Sequence, residues 1–223
     1  MPSGTIPPIV AILLAYASGS LPFAFLAGRL LKGIDLRTVG SGNLGATNVY
    51  RTLGVPAAVV VLLLDALKGA LPVLLLTPRI SEVVIAPPGS STPAWMGLVL
   101  GVAAIVGHAK PVFLLWEGGG KGVATTAGVF AALVPVALLL ALGIFVLVVW
   151  RTRIVSLGSM VAAVILPAAV AWRAGPGSPF ALVAIVIAGF VVWTHRANIE
   201  RLRAGTEPRL GAPGGAHRTE SVS

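Results

Sequence analysis

The sequence predicts an all-α integral membrane protein: a seven-transmembrane helical bundle with its N-terminus outside and its C-terminus in the cytoplasm. Of the 223 residues, 57% are hydrophobic and 10% are charged, whereas a soluble domain has about 25% charged residues. Apolar runs close to the roughly 20 residues that a membrane-spanning helix needs recur along the chain. The basic residues between these runs are unevenly placed, and Lys and Arg favour cytoplasmic loops, which predicts the orientation.

The apolar runs define the predicted elements in chain order. No basic residue precedes the first run, which is untypical of a cleaved signal peptide, so we interpret that run as the first membrane helix. The runs extend approximately over Ile6 to Leu30, Leu53 to Leu76, Ala94 to Val106, Val123 to Trp150, Ile154 to Trp172 and Phe180 to Trp193.

The fourth run decides the number of helices. It has about the length of one tilted helix, but Pro135 lies near its middle and can divide it into a tight hairpin of two short helices. A single span would place Lys121 and Arg151 on opposite sides of the membrane, whereas a break at Pro135 leaves every basic cluster on one side. We therefore predict seven helices, with the fourth and fifth short. The clusters are Arg29, Lys32, Arg37 and Arg51; Lys110 and Lys121; Arg151 and Arg153; and Arg196, Arg201, Arg203, Arg209 and Arg218.

Composition also indicates the extent of the domain and excludes several kinds of partner. Residues 1–211 are predicted to form a single transmembrane domain and residues 212–223 a flexible C-terminal tail, because the end of the chain is polar and rich in Gly, Pro and Arg. The chain has no cysteine, which excludes disulfides, thiolate metal sites and cysteine nucleophiles. The histidines lack metal-ligand spacing, so no metal is predicted. Topology explains the net charge of +9, so we expect no nucleic-acid partner.

The segment Ser41 to Arg51 has the chemistry of an anion site. Its glycines allow backbone N–H groups to approach a ligand, and its Ser, Thr and Asn side chains add neutral donors. Arg51 offers a fork that suits phosphate or carboxylate. The alternative is a helix-capping turn.

A second segment joins Gly107-His108 to the glycine-rich stretch before Thr125. Three glycines precede Lys121 at the start of a helix, a pattern that presents backbone donors and a cation to phosphate. It is not a nucleotide P-loop, because Leu115 and Gly122 occupy the positions where that motif needs Gly and Ser or Thr. The alternatives are a flexible connector with a snorkelling lysine and a helix-capping role for His108.

Two further segments carry polar groups at the predicted cytoplasmic side. Ser156 lies in a Ser-Leu-Gly-Ser stretch, which also suits close helix packing. His195 and Asn198 share one helix face and can point together at a ligand, although the segment also reads as a basic interfacial helix end. Within the second apolar run, Asp65 and Lys68 have the spacing of an ion pair, which we interpret as structural ahead of a proton path.

These segments, in this order, closely resemble the bacterial membrane glycerol-3-phosphate acyltransferases that take their acyl group from acyl phosphate. The resemblance covers nearly the full length. The chain departs from the family pattern at Glu117, where a basic residue is usual, by one extra glycine among 118–120, and at Ile154 or Val155, where an aromatic residue is common. The motifs that carry it are Ser41-Gly42-Asn43 with Gly45, Thr47, Asn48 and Arg51; Gly107-His108 with Pro111, Phe113 and Gly119 to Thr125; and His195 with Asn198, Ile199, Arg201, Gly205, Thr206 and Glu207.

The resemblance implies an acyltransferase domain over residues 1–211 that acylates the 1-hydroxyl of sn-glycerol 3-phosphate, releasing 1-acyl-glycerol 3-phosphate and phosphate. It implies a multi-pass protein of the bacterial cell (inner) membrane that is active at the cytoplasmic side. Its expected partners are its two substrates, acyl phosphate and glycerol 3-phosphate, and the membrane lipids, with no cofactor and no obligatory protein partner. The expected catalytic residues are Ser41, Arg51, Lys121 and His195. The expected substrate-binding residues are Asn43, Gly45, Thr47, Asn48, Gly107, His108, Gly119, Gly120, Gly122, Ser156, Asn198 and Glu207.

We expect Ser41, Arg51 and Lys121 to hold the acyl-phosphate phosphate, and His195 and Asn198 to orient glycerol 3-phosphate. An ordinary histidine pKa of about 6.5 would suit His195 as the acceptor of the hydroxyl proton, and a substrate phosphate is the alternative acceptor. The chain lacks the His-x4-Asp pair of other glycerophosphate acyltransferases. The rival functions are a transporter for phosphate or small organophosphates and a structural membrane scaffold.

Overall fold

The computed structural model describes residues 5–80 and 92–211, and this part of the chain consists of helices joined by turns and loops. Within these ranges, Ile6 and Ile80 form an isolated β-bridge. The predicted C-terminal tail, residues 212–223, lies outside the described residues. The α-helices are α1 Pro8–Gly19, α2 Phe23–Lys32, α3 Ala46–Leu53, α4 Val55–Leu76, α5 Thr92–Ala109, α6 Val123–Leu133, α7 Pro135–Thr152, α8 Val155–Ala174, α9 Pro179–Thr194 and α10 Arg196–Arg203, with 3-10 turns at Thr77–Arg79 and Val112–Leu114.

Several of these helices are long and apolar enough to cross a membrane, which confirms the predicted all-helical membrane class. Five segments within the described ranges qualify by length and composition. A sixth forms if α9 and α10, which meet at 57°, count as one span. The five are Pro8–Lys32, Val55–Arg79, Ala94–Leu114, Pro135–Thr152 and Val155–Ala174.

The predicted division of the fourth apolar run at Pro135 is present. Val134 leaves the helical conformation, α6 ends before it, and Pro135 begins α7, where the missing N–H of proline costs no hydrogen bond. α6 is short, with 11 residues, but the prediction of a short fifth helix is wrong, since α7 has 18 residues. Proline starts this helix instead of shortening it.

The first apolar run is also broken, which the sequence pattern did not predict. α1 ends at Gly19 and α2 starts after Pro22, which leaves backbone carbonyls without helical partners. Lys68 Nζ donates to the carbonyl of Leu21 at 2.8 Å and lies 2.7 Å from Asp65 Oδ1. The predicted Asp65–Lys68 ion pair is therefore present. Its lysine also stabilises the break between α1 and α2 by donating a hydrogen bond to a carbonyl in the break.

Glycines allow the helices to pack with their backbones in contact. A Cβ built on Gly128 would lie 1.8 Å from the Ala66 carbonyl oxygen, so α6 lies directly on α4. A Cβ on Gly19 would lie 2.0 Å from the Ala104 oxygen, which brings α1 equally close to α5. Small residues are typical of such membrane interfaces. The close packing fixes the helix ends that carry the polar motifs.

Candidate active site

One cavity of about 130 Å³ brings the predicted motifs together. It lies where α3, α6, α8 and the α9–α10 junction meet, although these elements are far apart in the chain. Three predicted residues, Gly107, Gly119 and Gly120, lie outside its lining. The predicted residues that line it are Ser41, Asn43, Gly45, Thr47, Asn48, Arg51, His108, Lys121, Gly122, Ser156, His195, Asn198 and Glu207.

Asn48 holds the first motif in shape. Its Nδ2 donates to the carbonyls of Leu36 and Val39 at 3.1 and 3.0 Å, and its Oδ1 accepts from the backbone N–H of Ser41 at 3.0 Å. The side chain is buried, and these bonds occupy its amide. We expected Asn48 to bind substrate, but its amide is occupied in fixing the loop that carries Ser41.

Arg51, by contrast, is available to a ligand. Its side chain lines the cavity, and its guanidinium makes no hydrogen bond or ion pair with any of the described residues. The hydroxyls of Ser41 and Thr47 likewise have no partner within residues 5–80 and 92–211. A cation and two hydroxyl donors without protein partners are what an anion site needs.

The glycines of the second motif have a packing explanation. A Cβ on Gly119 would lie 1.9 Å from the Ala109 carbonyl oxygen, and one on Gly120 would lie 2.1 Å from His108 Nε2. A Cβ on Gly107 would lie 2.2 Å from the Tyr16 carbonyl oxygen, where α5 packs on α1. These three positions therefore shape the turn and its support, which accounts for their absence from the cavity wall.

Lys121 is held at the cavity by a chain of hydrogen bonds. Its Nζ donates to Asn198 Oδ1, and Asn198 Nδ2 donates to Glu207 Oε1 at 2.6 Å. Glu207 also accepts from Ser156 Oγ at 2.7 Å and from Arg201 Nε at 2.7 Å. We expected Glu207 to bind substrate, but both of its oxygens are already occupied. It connects Ser156 and Arg201, through Asn198, to Lys121.

The electrostatics of this chain follow from burial and neighbouring charges. Burial lowers the pKa of Lys121 to about 8; Glu207 opposes that shift, while Arg201 and Arg51 add to it. Burial alone would raise the pKa of Glu207, but the hydrogen bonds from Ser156, Asn198 and Arg201 together lower it. At neutral pH the lysine is a cation and the glutamate an anion.

The pKa of His195 differs from the value expected from the sequence. It directly follows the last residue of α9, and its Nδ1 lies 2.7 Å from the carbonyl oxygen of Val191. Since a carbonyl oxygen only accepts, Nδ1 carries the proton and Nε2 is the acceptor of the neutral ring. Burial, with the nearby charge of Lys121, lowers the pKa of His195 to about 4. The assumption of a pKa near ~6.5 was therefore wrong.

The cavity also has lining residues that the sequence reasoning missed. Asp65 lines it and was interpreted as half of a structural pair ahead of a proton path, not as a substrate-binding residue. Its position inside an apolar span was a signal that could have identified it. Leu62 and Phe145 form part of an apolar wall, but one leucine or phenylalanine among many in a membrane helix carries no recognisable signal.

Fold and site together define a class of protein: a multi-pass membrane protein with a cavity of cationic and neutral donors suited to an anionic ligand and flanked by apolar helices. A model of the glycerol-3-phosphate acyltransferase family matches residues 9–205. The chain belongs to this family and is an integral membrane acyltransferase of phospholipid synthesis, as the motifs predicted.

Individual relatives are similar over nearly their whole length. A glycerol-3-phosphate acyltransferase of Synechococcus sp. (strain CC9902) is 46% identical over 206 residues, which is 92% of this chain and 96% of the relative. One of Trichlorobacter lovleyi is 47% identical over 201 residues, or 89% and 95%.

The fold is similar to crystal structures of PlsY (YgiH), an integral membrane glycerol 3-phosphate acyltransferase. Its glycerol 3-phosphate form has a TM-score of 0.80 at 36% identity, with 92% of this chain and 96% of that chain covered. Its lysophosphatidic acid form has a TM-score of 0.77 at 35% identity, with 92% and 95% covered.

Proposed function

We propose that this protein transfers an acyl group from acyl phosphate to the 1-hydroxyl of sn-glycerol 3-phosphate. The products are 1-acyl-sn-glycerol 3-phosphate (lysophosphatidate) and phosphate, and the reaction is the first acylation of phospholipid synthesis. The observation that carries the proposal is the presence of Arg51 and Lys121, from two motifs, at one small cavity. The PlsY structures, which include a glycerol 3-phosphate form and a lysophosphatidic acid form, support the acceptor and the product.

The polar groups of the cavity divide between the two substrates. We assign Ser41, Arg51 and Lys121 to the phosphate of the acyl donor, because a guanidinium and an ammonium facing one cavity can stabilise the charge that develops on a departing phosphate. His195, through its acceptor Nε2, and Asn198, through the amide N–H that it does not donate to Glu207, orient glycerol 3-phosphate from the α9–α10 junction. Direct substrate contacts by the other predicted residues, including His108 and Ser156, remain predictions.

The reaction forms one bond, breaks another and transfers one proton. The hydroxyl oxygen of glycerol 3-phosphate attacks the acyl carbonyl carbon, the bond from that carbon to the phosphate oxygen breaks, and phosphate leaves. Arg51 and Lys121 stabilise the charge that develops on the leaving phosphate. The hydroxyl proton passes to His195 Nε2 or to a substrate phosphate. The low pKa of His195 makes its ring a weak base, which favours the phosphate.

The acyl chain lies against the apolar wall of the cavity. Leu62 from α4, Phe145 from α7 and Val155 from α8 contribute to this wall. Burying a chain between apolar helices leaves its phosphate end at the cationic residues, so one substrate spans both parts of the cavity.

We further propose seven spans, with the N-terminus outside, the C-terminus in the cytoplasm and the site at the cytoplasmic side of the bacterial inner membrane. The support is the break at Val134 together with the basic clusters. Because the chain has no cysteine, Arg151→Cys provides a unique label. An impermeant thiol reagent should leave it unlabelled in intact cells. Labelling from outside would refute the topology.

The reaction is tested with purified protein, glycerol 3-phosphate and an acyl phosphate, measuring phosphate release and lipid product together. Parallel reactions with acyl-CoA and acyl carrier protein donors test donor choice. Lys121→Ala should abolish product while leaving membrane insertion intact, and Lys110→Ala, an exposed lysine outside the cavity lining, should retain activity. Phosphate uptake by proteoliposomes without lipid product would favour the transporter instead.

A further inference from the structure

The cavity contains a carboxylate with no place in the mechanism above. Asp65 is buried, with 2% of its surface exposed, and it lies on α4 at the wall of the cavity. Its Oδ1 lies 2.7 Å from Lys68 Nζ and 3.7 Å from His108 Nδ1. Its Oδ2 accepts no hydrogen bond from any residue in 5–80 or 92–211. One oxygen of this cavity-lining carboxylate therefore has no protein donor among the described residues.

The other carboxylate at the cavity is not comparable. Glu207 Oε1 accepts from Ser156 and Asn198, and its Oε2 accepts from Arg201. Both oxygens of Glu207 thus have protein donors, whereas Oδ2 of Asp65 has none among the described residues. Of the two carboxylates that line the described cavity, Asp65 is therefore the one with a whole oxygen left for a substrate donor.

The charge of Asp65 limits what it can bind. A carboxylate repels phosphate, so it cannot contact the anionic end of either substrate. It accepts hydrogen bonds well, and the groups on glycerol 3-phosphate that donate them are its hydroxyls. The Lys68 ammonium already lies 2.7 Å from Oδ1, which leaves Oδ2 as the acceptor for a hydroxyl. Because the proton of the attacking 1-hydroxyl passes to His195 or to a substrate phosphate, the 2-hydroxyl is the one left for Asp65.

We propose that Asp65 binds the 2-hydroxyl of glycerol 3-phosphate by accepting its hydrogen bond, and so selects a three-carbon acceptor that carries this hydroxyl. The inference rests on the proposed function, because it assumes that acceptor. Lys68 has a supporting role: its bond to the Leu21 carbonyl and its contact with Asp65 hold the carboxylate at the wall between the cavity and the helix break.

The test compares two ligands by isothermal titration calorimetry with purified protein and no acyl donor. The ligands are glycerol 3-phosphate and 3-hydroxypropyl phosphate, which keeps the phosphate and the primary hydroxyl but lacks the 2-hydroxyl. A hydrogen bond to a charged group typically changes an equilibrium constant by about tenfold to a hundredfold. We expect the wild type to bind glycerol 3-phosphate at least about tenfold more tightly than the analogue.

Two matched variants separate recognition from structure. Asp65→Asn should reduce the preference to about threefold or less, mainly by weakening glycerol 3-phosphate, because the amide is a weaker acceptor. Lys68→Arg keeps a cation beside the carboxylate, so it should retain the preference. If either single variant fails to fold, Asp65→Asn/Lys68→Met, which removes both charges, is compared with the wild type and should show the reduced preference.

Three results would overturn the proposal. The first is equal affinity of the wild type for both ligands, and the second is an unchanged preference in Asp65→Asn. The third is an equal loss of preference in Asp65→Asn and Lys68→Arg, which would show that the preference depends on the geometry of the ion pair and not on the carboxylate as a hydrogen-bond acceptor. Because calorimetry needs no donor, discrimination without acyl transfer would refute the proposed reaction alone. A wild type that binds neither ligand would refute both.

Discussion

Raising the pH should remove the charge of Lys121 and with it most of the activity. Burial lowers the pKa of this ammonium to about 8, so the form that binds phosphate is present below that pH and is lost above it. For a group with this pKa, the protonated fraction falls from roughly 90% at pH 7 to roughly 10% at pH 9. The value of kcat/KM, which reports the ionisation of the free enzyme, should therefore fall about tenfold across this interval.

The assay is phosphate release at limiting acyl phosphate, measured at intervals across about pH 6.5 to 9.5 and corrected for spontaneous hydrolysis of the donor. Lys121→Arg provides the matched variant. Its guanidinium stays charged throughout this range, so the alkaline decrease should disappear even if the activity is lower. Lys110→Ala, an exposed lysine outside the cavity lining, should keep the wild-type profile.

Two results would refute this reasoning. A wild-type profile that stays level to pH 9.5 would show that Lys121 is either more basic than its burial implies or not required as a cation. An alkaline decrease at the same pH in Lys121→Arg would assign the titration to another group.

The remaining predictions concern the base, the anchor and the packing. His195→Ala should keep near-normal turnover at saturating glycerol 3-phosphate if a substrate phosphate accepts the proton, whereas a loss of kcat of a hundredfold or more would assign the proton to the imidazole. Glu207→Gln should lower the free energy of unfolding by about 1–3 kcal/mol, because it weakens the bonds to Asn198 and its neighbours. Since the pKa of Glu207 is lowered in the fold, its stabilisation is present at neutral pH and is lost as the pH falls through that lowered pKa; a urea titration repeated at decreasing pH measures it. Gly107→Ala should destabilise the protein by about 1–3 kcal/mol in a thermal-shift assay, because its new Cβ would lie 2.2 Å from a backbone carbonyl oxygen of α1. Gly143→Ala, whose Cβ would have no atom within 4 Å, should leave the melting temperature nearly unchanged.

Much of the candidate site was visible in the sequence. Hydropathy and charge are local properties, so the membrane class and the break at Pro135 could be predicted without a structure. The grouping of Ser41, Arg51, Lys121 and His195 at one cavity was also predictable, because their motifs all lie at the same predicted side of the membrane and match one family in order.

What the sequence could not show is which polar groups are already occupied. Asn48 and Glu207 looked like ligands of the same kind as Arg51, yet the side chains of the first two are held by protein partners, whereas Arg51 has none within residues 5–80 and 92–211.

By itself, the sequence determined the membrane class, the family and the cationic and glycine-rich motifs of this protein, because composition and motif order belong to the chain. Only the tertiary structure decided that Lys121 is held through Asn198, that the α1–α2 break is fastened by Lys68, and that Asp65 faces the cavity. The physical reason is distance along the chain. Lys121 and its partner are 77 positions apart, and Lys68 and the carbonyl that it binds are 47 apart, so such contacts exist only once the helices have packed.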